Sequence, residues 1–359
     1  MNTPESIARL VRPGILALKP YSSARDEFEQ PGPTAGPLVF LDANENSLGG
    51  PLDTDFSRYP DPHQRALKAA LAARKGLSPD QIFLGNGSDE AIDLLIRAFC
   101  EPGQDEIMIL PPTYGMYAVQ ASIQGAGIRK ISLNPDFTPD VPAILAAATD
   151  RSKLLFLCSP NNPTGNRFAE QDVRTLLGQF PGIVVVDEAY ADFAAGPSLI
   201  GLMAEFPNLV VLQTFSKAWG MAGLRVGMAF GHPFVMGILG KIKYPYNLNA
   251  LTVSLALEAL NRAPVVQDKI NLLLAERSRF ETSLSAMPGV KKVFHSEANF
   301  LLIRVSDADR TYHDLCEAGI VVRNRTREMH CANCLRITVG TPAENDRFLD
   351  ALSTVVHPS

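Results

Sequence analysis

The stretch Ile183-Val184-Val185-Val186-Asp187-Glu188-Ala189-Tyr190 decides how the chain folds. Four consecutive branched aliphatic residues show no in–out alternation, so a strand built from them must be covered on both faces. An aspartate follows directly at its carboxyl end. Runs of similar texture recur at 81–84, 106–110, 153–158, 209–213 and 225–230. Between several of them apolar residues return at helical spacing, as at 91–99 and 169–179. Strands alternating with helices predict an α/β fold, a mostly parallel sheet with helices on both sides. The runs at 209–213 and 225–230 lie too close for a helical crossover, which predicts one antiparallel member.

Further out, the texture changes. After Tyr246 two helical segments, 251–260 and 265–287, lead into strands at 292–295, 300–305, 320–323 and 335–339. Helices at 307–318 and 343–355 flank them, an α+β layer of the size of a small domain. Upstream, residues 1–45 are rich in proline and glycine and read as an irregular arm with one short helix near 5–10. The expected division is an arm at 1–45 that packs with the small domain, a large domain at 46–260 and a small domain at 261–359.

Composition narrows the function. Of 359 residues, 46% are hydrophobic and 20% charged, which excludes extensive disorder. The net charge of −5, with no polybasic run, disfavours nucleic acid as a partner. No apolar run approaches the length of a membrane span or a signal-peptide core, so a cytoplasmic globular protein is expected. Five cysteines are an odd count, against a disulfide scaffold. Cys331 and Cys334 form a CxxC beside His330, but no second ligand pair at comparable spacing accompanies it, so no metal is expected.

Four stretches carry chemistry. The first is Thr214-Phe215-Ser216-Lys217-Ala218-Trp219-Gly220, continued by Met221-Ala222-Gly223-Leu224-Arg225-Val226-Gly227. A loop lysine is ordinarily solvated, but this one stands among hydroxyls, glycines and an arginine. Such a setting lets a lysine condense with a phosphorylated aldehyde whose phosphate the hydroxyls and guanidinium hold. The second is Asp187, at the strand end where open α/β sheets bind ligands; its bland alternative is a helix cap. The third, Ser159-Pro160-Asn161-Asn162-Pro163-Thr164-Gly165, would alone be a turn. The fourth, Gly85-Asn86-Gly87-Ser88-Asp89-Glu90, opens a helix whose free amides suit a phosphate.

In this order the four stretches resemble the fold-type-I pyridoxal-phosphate aminotransferases, and in detail their histidinol-phosphate aminotransferase branch. Asn44-Glu45-Asn46, Arg58-Tyr59-Pro60, Pro111-Pro112-Thr113-Tyr114-Gly115-Met116-Tyr117 and Cys334-Leu335-Arg336-Ile337-Thr338-Val339-Gly340-Thr341 belong to the same pattern. It covers nearly the whole chain from about Arg12 onward. Trp219 and Met228 depart from the usual aromatic choices and touch packing more than chemistry.

The resemblance implies a seven-stranded large-domain sheet, a smaller α+β domain and pyridoxal 5'-phosphate as cofactor. It also implies roles. Lys217 would hold the cofactor covalently and shuttle a proton. Asp187 would pair with the ring nitrogen, Tyr190 and Asn162 with the ring oxygen, and Tyr114 would stack on the ring. Ser88, Asp89, Ser216, Arg225 and Thr214 would hold the phosphate, joined by Tyr59 from a partner subunit of a homodimer. Arg336 would clamp the carboxylate of glutamate or 2-oxoglutarate, with Tyr21, Asn44 and Arg323 as candidates for the substrate phosphate. The implied reaction is transamination of L-histidinol phosphate with 2-oxoglutarate. The alternatives are an aromatic-amino-acid aminotransferase and a threonine-phosphate decarboxylase. A non-catalytic regulator on the same fold is disfavoured, because no helix-turn-helix precedes the fold.

Overall fold

The computed structural model describes residues 4–19 and 39–355. Its first sheet contains β1 (Ile82–Asn86), β2 (Glu106–Ile109), β3 (Gly127–Lys130), β4 (Ser152–Cys158), β5 (Ile183–Asp187), β6 (Leu209–Thr214) and β7 (Val226–Gly231). The spatial order is β1-β7-β6-β5-β4-β2-β3. All neighbours run parallel except β7, which is antiparallel to both β6 and β1. That is the expected α/β sheet with one reversed member.

Successive residues of β5 serve opposite layers. Val184 and Val186 join Leu176, Leu177 and Phe180 of one helical layer. Ile183 and Val185 join Ile92, Leu95 and Phe99 of the other. Burying each such side chain contributes about 1.5–3 kcal/mol, which explains why the run carries no polar alternation. The register places Cys158, Asp187 and Leu212 side by side at the carboxyl ends of β4, β5 and β6.

One close approach depends on glycine. A Cβ on Gly227 of β7 would lie 2.0 Å from the Ser88 nitrogen, so only glycine lets β7 lie against the start of helix Ser88–Phe99. Ser88 is thereby fixed beside the end of β6.

The second sheet holds β8 (Val290–Val293), β9 (Phe300–Val305), β10 (Arg323–Asn324) and β11 (Cys334–Thr338), ordered β10-β11-β9-β8 and antiparallel throughout. Helix Ala263–Ser285 leads into it, and helices Ala308–Glu317 and Pro342–Val355 cover it. Phe280, Leu301, Leu335 and Phe348 are among the residues of its core.

Several expected boundaries move. The strand expected at 320–323 is reduced to Arg323–Asn324, because Val321 turns out to solvent at 83% exposure and only the last residues reach the free edge of β11. The strand expected at 292–295 begins at Val290, with a register irregularity between Val290 and Lys292. β3 escaped the sequence reading because Gly127–Lys130 is a half-buried edge strand without an apolar run. The arm forms two short helices, Pro4–Ala8 and Pro13–Ala17.

The described part of the expected arm, residues 4–19, lies against the first sheet's helices. Ile7 and Val11 are buried in the core on one side of the first sheet. Arg12 pairs with Glu101 at 3.0 Å and donates to the Arg97 carbonyl. Helices Pro4–Ala8 and Pro13–Ala17 contact helix Pro233–Ile242, and the Arg12 N–H donates to the Ala98 carbonyl of helix Ser88–Phe99 at 2.9 Å.

Candidate functional site

A cleft of about 530 Å³ opens at the carboxyl ends of β4, β5 and β6, and the second sheet supplies arginines to its wall. Its polar groups fall into three sets.

The first set is a cluster of anion-binding donors. Helix Ser88–Phe99 starts after Gly87, whose φ of +72 turns the chain into the helix and leaves the first amides without partners inside it. Facing this turn, the Ser216 N–H donates to Thr214 Oγ1 at 3.1 Å, and the two hydroxyls lie 3.0 Å apart. Arg225, itself left-handed at φ +57, donates to Ser216 Oγ at 3.3 Å and lies 3.5 Å from Asp89. Asp89 also accepts the Tyr114 hydroxyl at 3.1 Å.

The second set surrounds Asp187. Its Oδ1 accepts the Ala189 N–H at 3.0 Å and its Oδ2 the Tyr117 hydroxyl at 2.7 Å. Both donors are neutral, and the carboxyl is 3% exposed. Burial pushes its pKa up to about 6, against the opposing pull of the Tyr117 and Ala189 hydrogen bonds. A buried carboxylate paired only with neutral donors gains most from a cationic N–H. The neighbouring Glu188 points to the other side of the chain, where Ser198, the Leu199 N–H and Gln213 satisfy it. Only Asp187 of the adjacent acids serves the cleft.

The third set faces Asp187. Lys217 borders the open cleft with Nζ 5.6 Å from the centre of the Tyr190 ring. Desolvation first, then the charges of Arg336 and Arg225, lower its pKa, and Asp187 and Asp89 oppose them. The buried Tyr190 ring meets Phe300 edge-on at 5.1 Å, and desolvation raises its hydroxyl pKa. Arg336 donates to Asn162 Oδ1 and crosses the Phe300 ring at 5.3 Å. Arg323 and Arg325 line the same wall, and the Arg325 Nε–H is buried without a partner among the described residues.

These donors fit the expected cofactor. The Asp187 carboxylate suits a protonated ring nitrogen, the Ser88, Ser216 and Arg225 cluster suits a phosphate, and Lys217 stands between them with a lowered pKa.

The cleft gathers every site residue expected from the sequence except Tyr21, Asn44 and Tyr59. Tyr21 lies outside the described residues. Asn44 and Tyr59 line a different hollow of about 520 Å³ with Glu45 and Phe56. There the Tyr59 N–H donates to Glu45 at 2.7 Å and its ring stacks on Tyr246 at 4.5 Å. Sequence reasoning missed Tyr117, Arg325 and Glu328. For Tyr117 the available signal was its spacing of three from Tyr114, which brings the two rings edge to face at 5.5 Å.

Comparison with known proteins agrees with this geometry. The model of the family "Aminotransferase class I and II" matches residues 51–352, and the chain belongs to that family. A histidinol-phosphate aminotransferase of Parabacteroides distasonis is 52% identical, over 96% of this chain and 98% of that protein. One from Cytophaga hutchinsonii is 50% identical, over 97% and 99%. In fold, the chain resembles the solved histidinol-phosphate aminotransferase of Sinorhizobium meliloti in complex with pyridoxal-5'-phosphate. The TM-score is 0.78 at 24% identity, covering 88% of this chain and 89% of that one. Within the family, then, these nearly full-length matches carry a single activity in their names.

Proposed function

We propose that the protein is a pyridoxal-phosphate-dependent transaminase that moves the amino group of L-histidinol phosphate to 2-oxoglutarate, in histidine biosynthesis. The products are imidazole acetol phosphate and L-glutamate. The observation that carries this reading is the charge layout of the cleft: a buried carboxylate below and Arg323, Arg325 and Arg336 on the opposing wall. The unpartnered Arg325 N–H suits an anionic substrate. The names of the nearly full-length relatives agree.

Bound pyridoxal phosphate supplies an electron-withdrawing ring that stabilises negative charge at the substrate carbon. The chain's residues divide the remaining work. Asp187 keeps the ring nitrogen protonated. Ser88, Asp89, Thr214, Ser216 and Arg225 hold the phosphate end, Tyr114 covers a ring face, and Tyr190 and Asn162 bond the ring oxygen. Lys217 would anchor the cofactor and, as a free amine, would move the proton at the substrate carbon, a task its lowered pKa favours. Arg336 orients the carboxylate of glutamate or 2-oxoglutarate bidentately, and Arg323, Asn44 and Tyr21 take the substrate phosphate. The reading treats 46–260 as the cofactor-binding domain and 261–359 as the small domain, and places the reaction in the cytoplasm. No helix among the described residues is long and apolar enough to cross a membrane.

The reading also includes a homodimer in which Tyr59 completes the neighbour's phosphate site. Its support is the position of Tyr59 and Asn44 in a second hollow, apart from their own chain's Lys217 cleft. Exposed Val39, Leu41, Leu48, Leu52 and Tyr244 give such an interface its apolar surface. A hydrogen bond to a charged group is worth roughly 1.5–3 kcal/mol, so Tyr59→Phe should loosen the cofactor by about ten- to a hundredfold. Mixed dimers of Lys217→Ala and Tyr59→Ala chains should regain one site with native cofactor affinity. No recovery in dimers shown to have exchanged subunits would place Tyr59 outside any neighbour's site.

The substrate is tested by steady-state comparison of L-histidinol phosphate, phenylalanine and threonine phosphate, with 2-oxoglutarate as acceptor. The highest kcat/KM is expected for histidinol phosphate. A higher value for phenylalanine, or carbon dioxide release from threonine phosphate, would replace the reading with one of those two activities.

A further inference from the structure

The segment Cys331-Ala332-Asn333-Cys334 has no part in the transamination reading. Its two cysteines are the outer residues of a tight turn. The Cys334 N–H donates to the Cys331 carbonyl at 3.0 Å, and Asn333 takes the left-handed conformation, φ +56, that reverses the chain. A turn of this kind holds its outer Cα atoms within about 7 Å, the range a disulfide spans. Both thiols are free and fully buried.

Their surroundings make them unequal. The neighbouring Cys331 thiol, followed by the Arg304 guanidinium, draws the Cys334 thiol down, while Cys334 and burial push Cys331 up; the Cys334 thiol also donates to the Ala332 carbonyl at 3.6 Å. Arg304 is held in place by donating to the carbonyl oxygens of His330 and Ala332. One sulfur is thus prepared as a nucleophile with a second thiol beside it. Cys100 and Cys158 are as buried, but desolvation pushes their thiols up and they stay protonated.

The turn is coupled to the cleft. Cys334 opens β11, and its carbonyl accepts the backbone N–H of Arg325 at 2.8 Å. Arg336 follows two residues later on the same face of the strand, opposite Arg323 in register. A shift of the Cys334 backbone therefore reaches the arginine wall directly.

We propose that Cys331 and Cys334 form a redox-active dithiol, which hydrogen peroxide oxidises to a disulfide that displaces Arg325 and Arg336 and weakens substrate binding. The effect on substrate rests on the transaminase reading, whereas the disulfide itself does not. The Cys334 thiolate attacks one peroxide oxygen, the O–O bond breaks, and hydroxide leaves and takes up a proton as water. The resulting sulfenic acid is then attacked by the Cys331 sulfur, and its oxygen departs as the second water while the S–S bond forms. Two thiols lose two electrons and two protons, and one peroxide is reduced to two waters.

The test uses the reduced holoenzyme treated with hydrogen peroxide, quenched, alkylated and digested without reductant. The peptide carrying Cys331 and Cys334 should escape alkylation and lose the mass of two hydrogens. In parallel, KM for histidinol phosphate should rise about tenfold with kcat nearly unchanged, the size of one weakened charge-assisted hydrogen bond, and dithiothreitol should restore it. Cys331→Ser and Cys334→Ser should each keep the reduced enzyme's KM after peroxide. Full alkylation of both cysteines after peroxide, or oxidation mapped to Cys316 instead, would overturn the dithiol. A disulfide formed with KM unchanged would overturn its coupling to the arginines. A chain that forms the disulfide but turns over no histidinol phosphate would refute the transaminase reading, and the coupling with it, and leave the dithiol standing.

Discussion

Lys217→Ala is expected to lower kcat by about a thousandfold or more while the protein still binds pyridoxal phosphate through the cluster of Ser88, Ser216 and Arg225. In the proposed mechanism the substitution removes both the covalent anchor and the group that moves the proton at the substrate carbon. Binding at the phosphate end is untouched, so the loss should fall on kcat far more than on KM. A small primary amine added to the variant should restore part of the rate, because it supplies the missing proton acceptor from solution. Turnover within tenfold of the parent would mean that another group performs the transfer.

Asp187→Asn should divide activity and stability in opposite directions. The amide keeps the size of the carboxylate but cannot hold a proton on the ring nitrogen, and kcat should fall by about a hundredfold or more with the cofactor still bound. Stability follows from the raised pKa, about 6 against the ordinary 3.8. Between these values the folded chain keeps a proton that the unfolded chain has released, so burial costs nothing below about pH 4. The cost grows as pH rises and is complete above the folded pKa. The stability of cofactor-free Asp187→Asn relative to the parent should therefore rise by about 3 kcal/mol between pH 4 and pH 8. Urea unfolding of both cofactor-free proteins across that range measures it. A stability difference that does not change between pH 4 and pH 8 would show that burial does not hold the carboxyl's pKa up. A near-normal kcat would reduce Asp187 to the acceptor for the Ala189 N–H.

How much was legible follows from where each residue's partners lie. β4, β5 and β6 were readable because strands covered on both faces must be apolar throughout, and the site was readable because its loops follow those strands directly. Lys217, Asp187, Asn162 and Ser88 all sit within a few residues of a strand end. β3 was not readable, since an edge strand of Gly-Ile-Arg-Lys has no face that burial forces to be apolar. Tyr117 was quoted within a motif but given no role: a buried helical tyrosine stacked on Phe156 reads as core, and its bond to Asp187 spans seventy positions. The arm segment at 4–19 was not placed by its sequence for a related reason. Its apolar residues announce that they will be buried, but nothing in a short proline-punctuated segment says against which layer.

Lys217 is the proposed attachment point of the cofactor. Reduction of the loaded protein with borohydride, followed by digestion and mass spectrometry, reads that residue without reference to substrate. The cofactor's mass should appear on the peptide spanning Thr214 to Arg225, at Lys217, and be absent from Lys217→Ala. Reduced cofactor on a different lysine, or a protein that remains colourless and inactive after incubation with pyridoxal phosphate, would contradict the account.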